Sequence, residues 1–329
     1  MLNTVKESTN SYRVNQPDYD GLWKNLIEEL FQEFMAFFAP DLYPEIDFER
    51  GVHFENLELF QFLMKTKKRT KYSDKIVKVH LKNGEEKYVF IHIEVQAVGK
   101  KEFAERMFKY FYRIYDRTSH SIYSIALLTD ASQKEHEDTF GYSFYGTELT
   151  YTYNTYRFHG KDKEELKKSD NPFALAVLAG MYTSENTDKT DKDDKKRYRL
   201  KQQLLRLAFE KYSHRTNYLA ALVYFIDYMM LIPSDLQEQL YETLPIAQNK
   251  KEEEKIMGLE KLRDTPTFGK VYREIEEEGI RKGMEQGRTE AERGFAKKLL
   301  SRNYSDEEIA ELTSLEVKEV RILRESFED

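Results

Sequence analysis

The sequence predicts a mixed α/β front of about 160 residues followed by an all-helical rear. Three observations carry this. Helical and strand periodicities alternate from residue 22 to residue 158. Only helical patterns follow residue 160, and Gly and Pro are scarce, 14 and 7 in 329 residues, so segments run long and their breaks stand out.

In order, LWKNLIEELFQEFMAFF (22–38) places Leu22, Trp23, Leu26, Ile27, Leu30, Phe31, Phe34 and Phe38 at helical spacing, with Asp20 as N-cap and Pro40 as stop. A first strand is expected between Gly51 and Leu59. KIVKVHL (75–81) and YVFIHIEV (88–95) flank Asn83-Gly84 and read as a β-hairpin. EFAERMFKYFYRIYDR (102–117) returns to helical period, and SIYSIALL (121–128) is a buried-type strand. YSFYGTELTYTYNTYRF (142–158) alternates aromatics with Thr and Asn, as one or two edge strands do. After a polar seam, Pro172 opens the helix FALAVLAGMY. The run 183–197 has no apolar residue and is expected to be a solvated loop. Helices follow near 198–212, 217–231 and 234–243, then a charged stalk (252–302) with Gly279, Gly283 and Gly287, and two short terminal helices. The expected divisions are 1–160, 161–250 and 251–329.

Composition narrows function. The chain is 34% charged and 40% apolar, and no window supplies the roughly 18 or more apolar residues of a membrane span. The opening MLNTVKESTNSYRVNQPD has no apolar signal region, which gives the expectation of a cytoplasmic protein. No cysteine is present, which excludes disulfide scaffolds, Cys zinc sites and thiol catalysis. A net charge of -7 confines any nucleic-acid contact to a local basic strip. P-loop, Gly-rich dinucleotide, His-Glu-x-x-His and Gly-x-Ser-x-Gly motifs are all missing.

The hairpin holds the one constellation with chemistry. In HIEVQ, strand alternation points His92, Glu94 and Gln96 to one face. A two-residue turn at Asn83-Gly84 pairs positions summing to 167 and sends Asp74 to the other face. A three-residue loop, Lys82-Asn83-Gly84 with Gly84 left-handed, pairs positions summing to 166 and sets Asp74 beside His92 and Glu94. Burial selects the second register, because it gathers Val77, Val79, Leu81, Val89, Ile91, Ile93 and Val95 on one apolar face. Two carboxylates at the end of an apolar hairpin are costly unless solvated or neutralised, and a Mg²⁺ ion (or Mn²⁺) answers that chemistry. A merely exposed strand end is the alternative.

The order helix, strand, Asp-bearing hairpin, Glu-x-Gln, helix, strand resembles the αβββαβ restriction-endonuclease-like core of the PD-(D/E)XK nuclease superfamily. HIEVQ followed by FAERMFKYFYRIYDR is similar to the Rpn-type recombination-promoting nucleases, also labelled "putative transposases"; WKNLIEELFQEFMAFFAPDLYPEIDFERG, SDKIVKV, NPFALAVLAG, YRLKQQLLRLAFEK and the glycine-spaced stalk extend the likeness. The resemblance implies a Mg²⁺-dependent DNA endonuclease in DNA recombination, with Asp74 and Glu94 as metal carboxylates. Gln96 stands where the superfamily pattern has Lys; it can orient water but adds no cation, and Lys78 on the same face is a candidate substitute. Glu58 and Glu28 are candidate third acids, or solvated surface charges. Lys65, Lys67, Lys68, Arg69, Lys71 and Lys75 lead into the site and either track a DNA backbone or form a solvated loop. Arg106 and Tyr110, one turn apart, either touch phosphate or brace their helix. The glycine stripe either permits close helix approach, as in a homo-oligomer, or marks a flexible stalk. The tail NYSDEEIAELTSLEVKEVRILRE resembles a helix-turn-helix, although its acidity suits a protein partner as well as DNA. The rival to the endonuclease is a module of the same fold, weak or inactive in catalysis, that binds DNA or protein.

Overall fold

The computed structural model describes residues 18–55, 75–94, 100–129, 138–185, 191–248 and 260–328. They fall into two compact units, one running to Thr267 and the other from Phe268 to the end.

Among the described residues, the first unit is built on a mixed five-stranded sheet. Strand β1 (His53–Phe54), β2 (Lys75–His80) and β3 (Glu86–Glu94) are antiparallel neighbours. Helix α3 (Lys100–Thr118) then crosses over, so that β4 (Ile122–Leu128) lies parallel to β3, and β7 (Asn154–Arg157) lies parallel to β4. The aromatic stretch 139–157 divides between β7 and a separate hairpin of β5 (Thr139–Phe144) and β6 (Thr147–Thr152). Its two-residue turn sets Tyr145 and Gly146 at φ 42° and 87°, the positive pair that matches strand twist.

Each sheet face has its own cover. Ile76, Phe90, Ala126 and Leu128 pack beneath Phe103, Met107, Tyr110 and Ile114 of α3. On the opposite face Tyr123 donates to Asp41 Oδ1 at 3.0 Å, Phe54 meets Phe31 edge-on, and Tyr156 meets Phe38. These partners belong to or follow α1 (Tyr19–Glu29) and α2 (Phe31–Phe38). The single helix expected over 22–38 is two, because the backbone bends at Leu30 (φ -124°, ψ 40°). The bend directs each half to a different neighbour: Trp23 packs on Phe225, whereas Phe34 packs on Phe173. The N-cap is Asp18, whose carboxylate accepts from Gly21 N–H, and Asp20 sits inside the first turn.

The helical part shares this core. After α4 (Lys163–Lys168), Asn171 Oδ1 accepts from Phe173 N–H and starts α5 (Pro172–Glu185), which is buried from Pro172 to Tyr182. Gly180 allows close packing there, since a Cβ would stand 3.0 Å from the Phe158 ring, tighter than ordinary contact. Helices α6 (Asp191–Tyr212), α7 (Thr216–Met229) and α8 (Ser234–Glu242) complete the unit. The expected solvated loop over 183–197 is therefore corrected at both ends: α5 runs to Glu185 and α6 begins at Asp191. Acidic residues at a helix N-terminus favour its dipole, and Asp194 pairs with Arg197 one turn on. Charge does not prevent a helix when its order suits one.

The second unit holds α9 (Gly269–Leu300), α10 (Asp306–Leu312) and α11 (Val317–Glu328). Its core gathers Ala296, Leu299, Leu300, Ile309, Leu315 and Val320. Gly279, Gly283 and Gly287 lie within α9, where an added Cβ would meet no atom within 4 Å. No described helix is long and apolar enough to cross a membrane.

Candidate functional site

The β2–β3 hairpin forms around a three-residue loop. Leu81 N–H donates to Glu85 O at 2.8 Å, Gly84 N–H donates to Leu81 O at 2.8 Å, and Asn83 Oδ1 accepts from Glu85 N–H at 3.0 Å. Gly84 takes φ 89°, which a residue with a Cβ adopts only under strain. The pairing runs from His80↔Glu86 through Val77↔Val89 to Lys75↔Ile91, so every pair sums to 166. This is the register that burial selects in the sequence. Val77, Val79, Val89 and Ile91 are fully buried on one face, with Leu81 only half-buried at the loop end. Ile76 and Phe90 are buried on the other, against α3. The first face is apolar along its described length, whereas the second carries Lys78, His80 and Glu86 toward the loop and turns apolar at Ile76 and Phe90.

Strand β3 finishes at Glu94, paired with Leu128 of the parallel strand β4. The backbone of Glu94 therefore lies at the carboxyl end of a parallel pair, where α/β sheets place their ligands. Asp74, Gln96, Glu58 and the strip residues Lys65, Lys67, Lys68, Arg69 and Lys71 lie outside the described residues, as does the side chain of Glu94. Among the described residues no three His, Cys, Asp or Glu side chains are gathered to hold a metal.

The remaining candidates have described surroundings. Glu28, at the end of α1, forms an ion pair with Lys75, whose Nζ also lies 5.8 Å from the Phe54 ring centroid. Lys75 is thus anchored between a carboxylate and an aromatic face. Lys78 Nζ is 3.6 Å from Glu86 Oε1, toward the loop end of the hairpin. Arg106 is half-buried, its guanidinium 5.3 Å from the Phe103 ring centroid. Tyr110 is buried with its ring edge-on to Phe90, so its ring braces α3 on the sheet.

A feature that the sequence reading passes over lies at the other end of α3. A cavity of about 380 Å³ opens between that helix, the start of β4 and the β5–β6 hairpin. Its polar wall includes Ser124, the single polar residue within the apolar strand IYSIALL, and that interruption was the available signal.

Residues 19–137 match the model of the family described as "Putative transposase, YhgA-like". The matched stretch begins at α1 and extends past β4, and so includes the hairpin and the helix after it. The family resemblance drawn from the sequence is borne out there. No curated protein and no solved structure matches the chain.

Proposed function

We propose that the front of the chain is a Mg²⁺-dependent DNA endonuclease with a PD-(D/E)XK core, hydrolysing phosphodiester bonds at Asp74 and Glu94. The hairpin register carries this reading. Continued one pair beyond Lys75↔Ile91, it would oppose Asp74 to His92, and alternation would then give Asp74, His92, Glu94 and Gln96 one face. In the two-residue register the acids would be parted. The order helix, strand, strand, strand, helix, strand, with β4 parallel to β3, supports the same core. A family described as transposases fits an enzyme that acts on DNA.

The donor set suits the ion, since hard Mg²⁺ takes carboxylate and water oxygens. When bound, it supplies Lewis acidity toward phosphate and lowers the pKa of water. Asp74 and Glu94 hold it in this reading, with Mn²⁺ as substitute, while Gln96 orients water through its amide. Arg106, braced on Phe103, contacts phosphate, and the strip from Lys65 to Lys71 follows the DNA backbone.

Nicking of supercoiled plasmid across a Mg²⁺ and Mn²⁺ series tests the reading. Asp74→Ala and Glu94→Ala should each abolish metal-dependent nicking while preserving the fold, and Gln96→Ala should be milder. Wild-type protein that never nicks with either ion would overturn it and leave a nuclease-fold module that binds DNA or protein.

A further inference from the structure

The cavity under α3 has a chemistry distinct from the proposed cleavage site. Phe108 and Phe111 reach it from α3, Tyr151 and Tyr153 from the hairpin side. Tyr151 lies 4.7 Å from Phe111 and stacks 5.7 Å from Tyr153, centroid to centroid. Among the described residues, no Asp, Glu, Lys, Arg or His lines the space. A phosphate, carboxylate or ammonium group would enter without a counter-charge, which is strongly unfavourable.

Two hydroxyls border this aromatic box. Ser124 is 5% exposed and Tyr151 8%. Ser124 lies near enough to the Tyr151 phenol to favour its ionised form slightly, yet neither hydroxyl has a hydrogen-bond partner of ordinary geometry among the described residues. Buried hydroxyls left so are uncommon, because each loses its hydration without recompense. Burial also pushes the Tyr151 phenol up to about 12, so it remains a proton donor throughout the physiological range. Asn154, whose Nδ2 donates to Ser124 O at 3.3 Å, adds an amide at the exposed rim. The rim continues along the hairpin, where Leu149 is 36% exposed. The cavity is therefore open to solvent and of the size that small ligands occupy.

We propose that this cavity binds a nucleobase, stacked on the aromatic walls and hydrogen-bonded at its edge by Ser124 and Tyr151. Aromatic walls select a planar group, the uncharged lining selects a neutral one, and the hydroxyls select a polar edge. The choice of a nucleobase among such ligands rests on the nucleic-acid reading above. Ser124 pairs with Phe90, four residues before Glu94 on β3, which separates the cavity from the strand end by about 13 Å along the sheet. A nucleic-acid strand that leaves its backbone at Glu94 would have to span that distance, around α3, to bring a base to the cavity. Unstacking a base costs a few kcal/mol, least from single strands, which makes single-stranded or distorted DNA the favoured source. A free nucleoside would present the same chemistry.

Fluorescence titration of the full-length protein tests this with two probes, 2-aminopurine riboside and a single-stranded oligonucleotide carrying one 2-aminopurine. Saturable quenching of either probe is expected; quenching of both admits free nucleosides, and quenching of the oligonucleotide alone means a strand-borne base. Tyr151→Phe, which keeps the ring, and Ser124→Ala should each weaken binding by roughly 2- to 10-fold. Leu149→Trp, at the open rim, should block it. No quenching of either probe, or quenching unchanged in all three variants, would overturn the proposal. Plasmid nicking run in parallel separates the two readings: binding without nicking retains the cavity and sinks the endonuclease, and nicking without binding does the reverse.

Discussion

Lys201 and Asp227 form an ion pair from which solvent is wholly excluded, with Nζ 2.5 Å from Oδ1 and both side chains 0% exposed. The ammonium also donates to the Asp227 carbonyl at 3.1 Å. Thr267 completes the carboxylate, its hydroxyl donating to Oδ1 at 2.6 Å and its N–H to Oδ2 at 2.8 Å. Burial pulls the Lys201 pKa down, and the neighbouring carboxylate opposes that fall. A pair satisfied on this many sides is hard to break from one end. Lys201→Met should destabilise the protein by about 3–5 kcal/mol, because it strands a buried carboxylate. The double variant Lys201→Met/Asp227→Leu should lose less than the sum of the two singles. Urea unfolding of the four proteins gives the coupling energy, and additive losses would mean that the pair acts as two independent groups.

The same network sets where the chain can be cut. Leu262, Thr265 and Thr267 are buried, and Thr267 supplies two of the donors to Asp227. Protein ending at residue 267 should fold, whereas protein ending at residue 250 loses those donors and should be less stable by several kcal/mol. Circular dichroism melts of the two truncations decide this. Equal melting temperatures would show that the 260–267 segment contributes nothing to the first unit.

How far the sequence reading reached follows from which interactions were local. The hairpin was legible because loop length, glycine chirality and a two-residue period together allow one register, and burial of Val77, Val79, Val89 and Ile91 agrees with it. The bend at Leu30 was not, because the apolar spacing of 22–38 is unbroken and the partners that the two halves meet, Phe225 and Phe173, lie roughly 140 to 200 residues away. The sequence analysis did not single out Lys201, although Asp227, the one charged residue in the apolar run AALVYFIDYMM, marks a place where a buried partner is needed. The Ser124–Tyr151 cavity needed three elements brought together and had only the interruption of β4 to announce it. For the proposed site, the sequence supplied the register expected to set Asp74 and Glu94 on one face, and the described part of the hairpin, from Lys75↔Ile91 to His80↔Glu86, has that register.

In the second unit, Ser305 and Glu308 form a reciprocal cap on α10. Ser305 N–H donates to Glu308 Oε2 at 2.9 Å, and Glu308 N–H donates to Ser305 Oγ at 3.3 Å. These bonds hold the Glu308 carboxyl below its usual range, the backbone N–H of Ser305 first and its hydroxyl second. A carboxylate with a depressed folded pKa stabilises above its unfolded value, and that contribution fades as pH falls through the folded pKa. Ser305→Ala, which removes the hydroxyl from the cap, should therefore weaken this unit at pH 7. The difference from wild type should shrink under acid, at and below the ordinary carboxylate range. Hydrogen exchange of 299–320 at pH 7 and pH 3 measures it; a difference unchanged at pH 3 would show that the carboxylate is not part of the cap.

Gly84 offers a test of the register itself. Its φ of 89° is open to glycine and strained for alanine, and no steric obstacle confuses the result, since an added Cβ there meets nothing within 4 Å. Gly84→Ala should cost about 1 kcal/mol from backbone strain alone. Deleting Lys82 should do more, because a two-residue turn shifts one strand by a position and turns its buried valines toward the other face. On the proposed site, the deletion also parts Asp74 from Glu94 and should end nicking, while Gly84→Ala should keep it. Nicking that survives the deletion would show that the acids do not depend on this register.

The last expectation concerns the cations ahead of the hairpin. Lys65, Lys67, Lys68, Arg69 and Lys71 precede Lys75, which is itself held by Glu28 and the Phe54 ring. The ion pair with Glu28 and the Phe54 ring fix Lys75 at the start of β2. If the cations ahead of it contact phosphates, each contact releases counterions, and binding should weaken with salt by nearly one unit of log–log slope per phosphate. Lys67→Glu/Lys68→Glu/Arg69→Glu should therefore lower affinity evenly across DNA sequences and flatten the slope by up to about three units. Such uniform loss is the mark of backbone contact, because base readout would be lost unevenly. Anisotropy titrations at several salt concentrations, with unrelated duplexes of equal length, measure both quantities. A slope unchanged by three charge reversals would make the strip a solvated loop with no part in holding DNA.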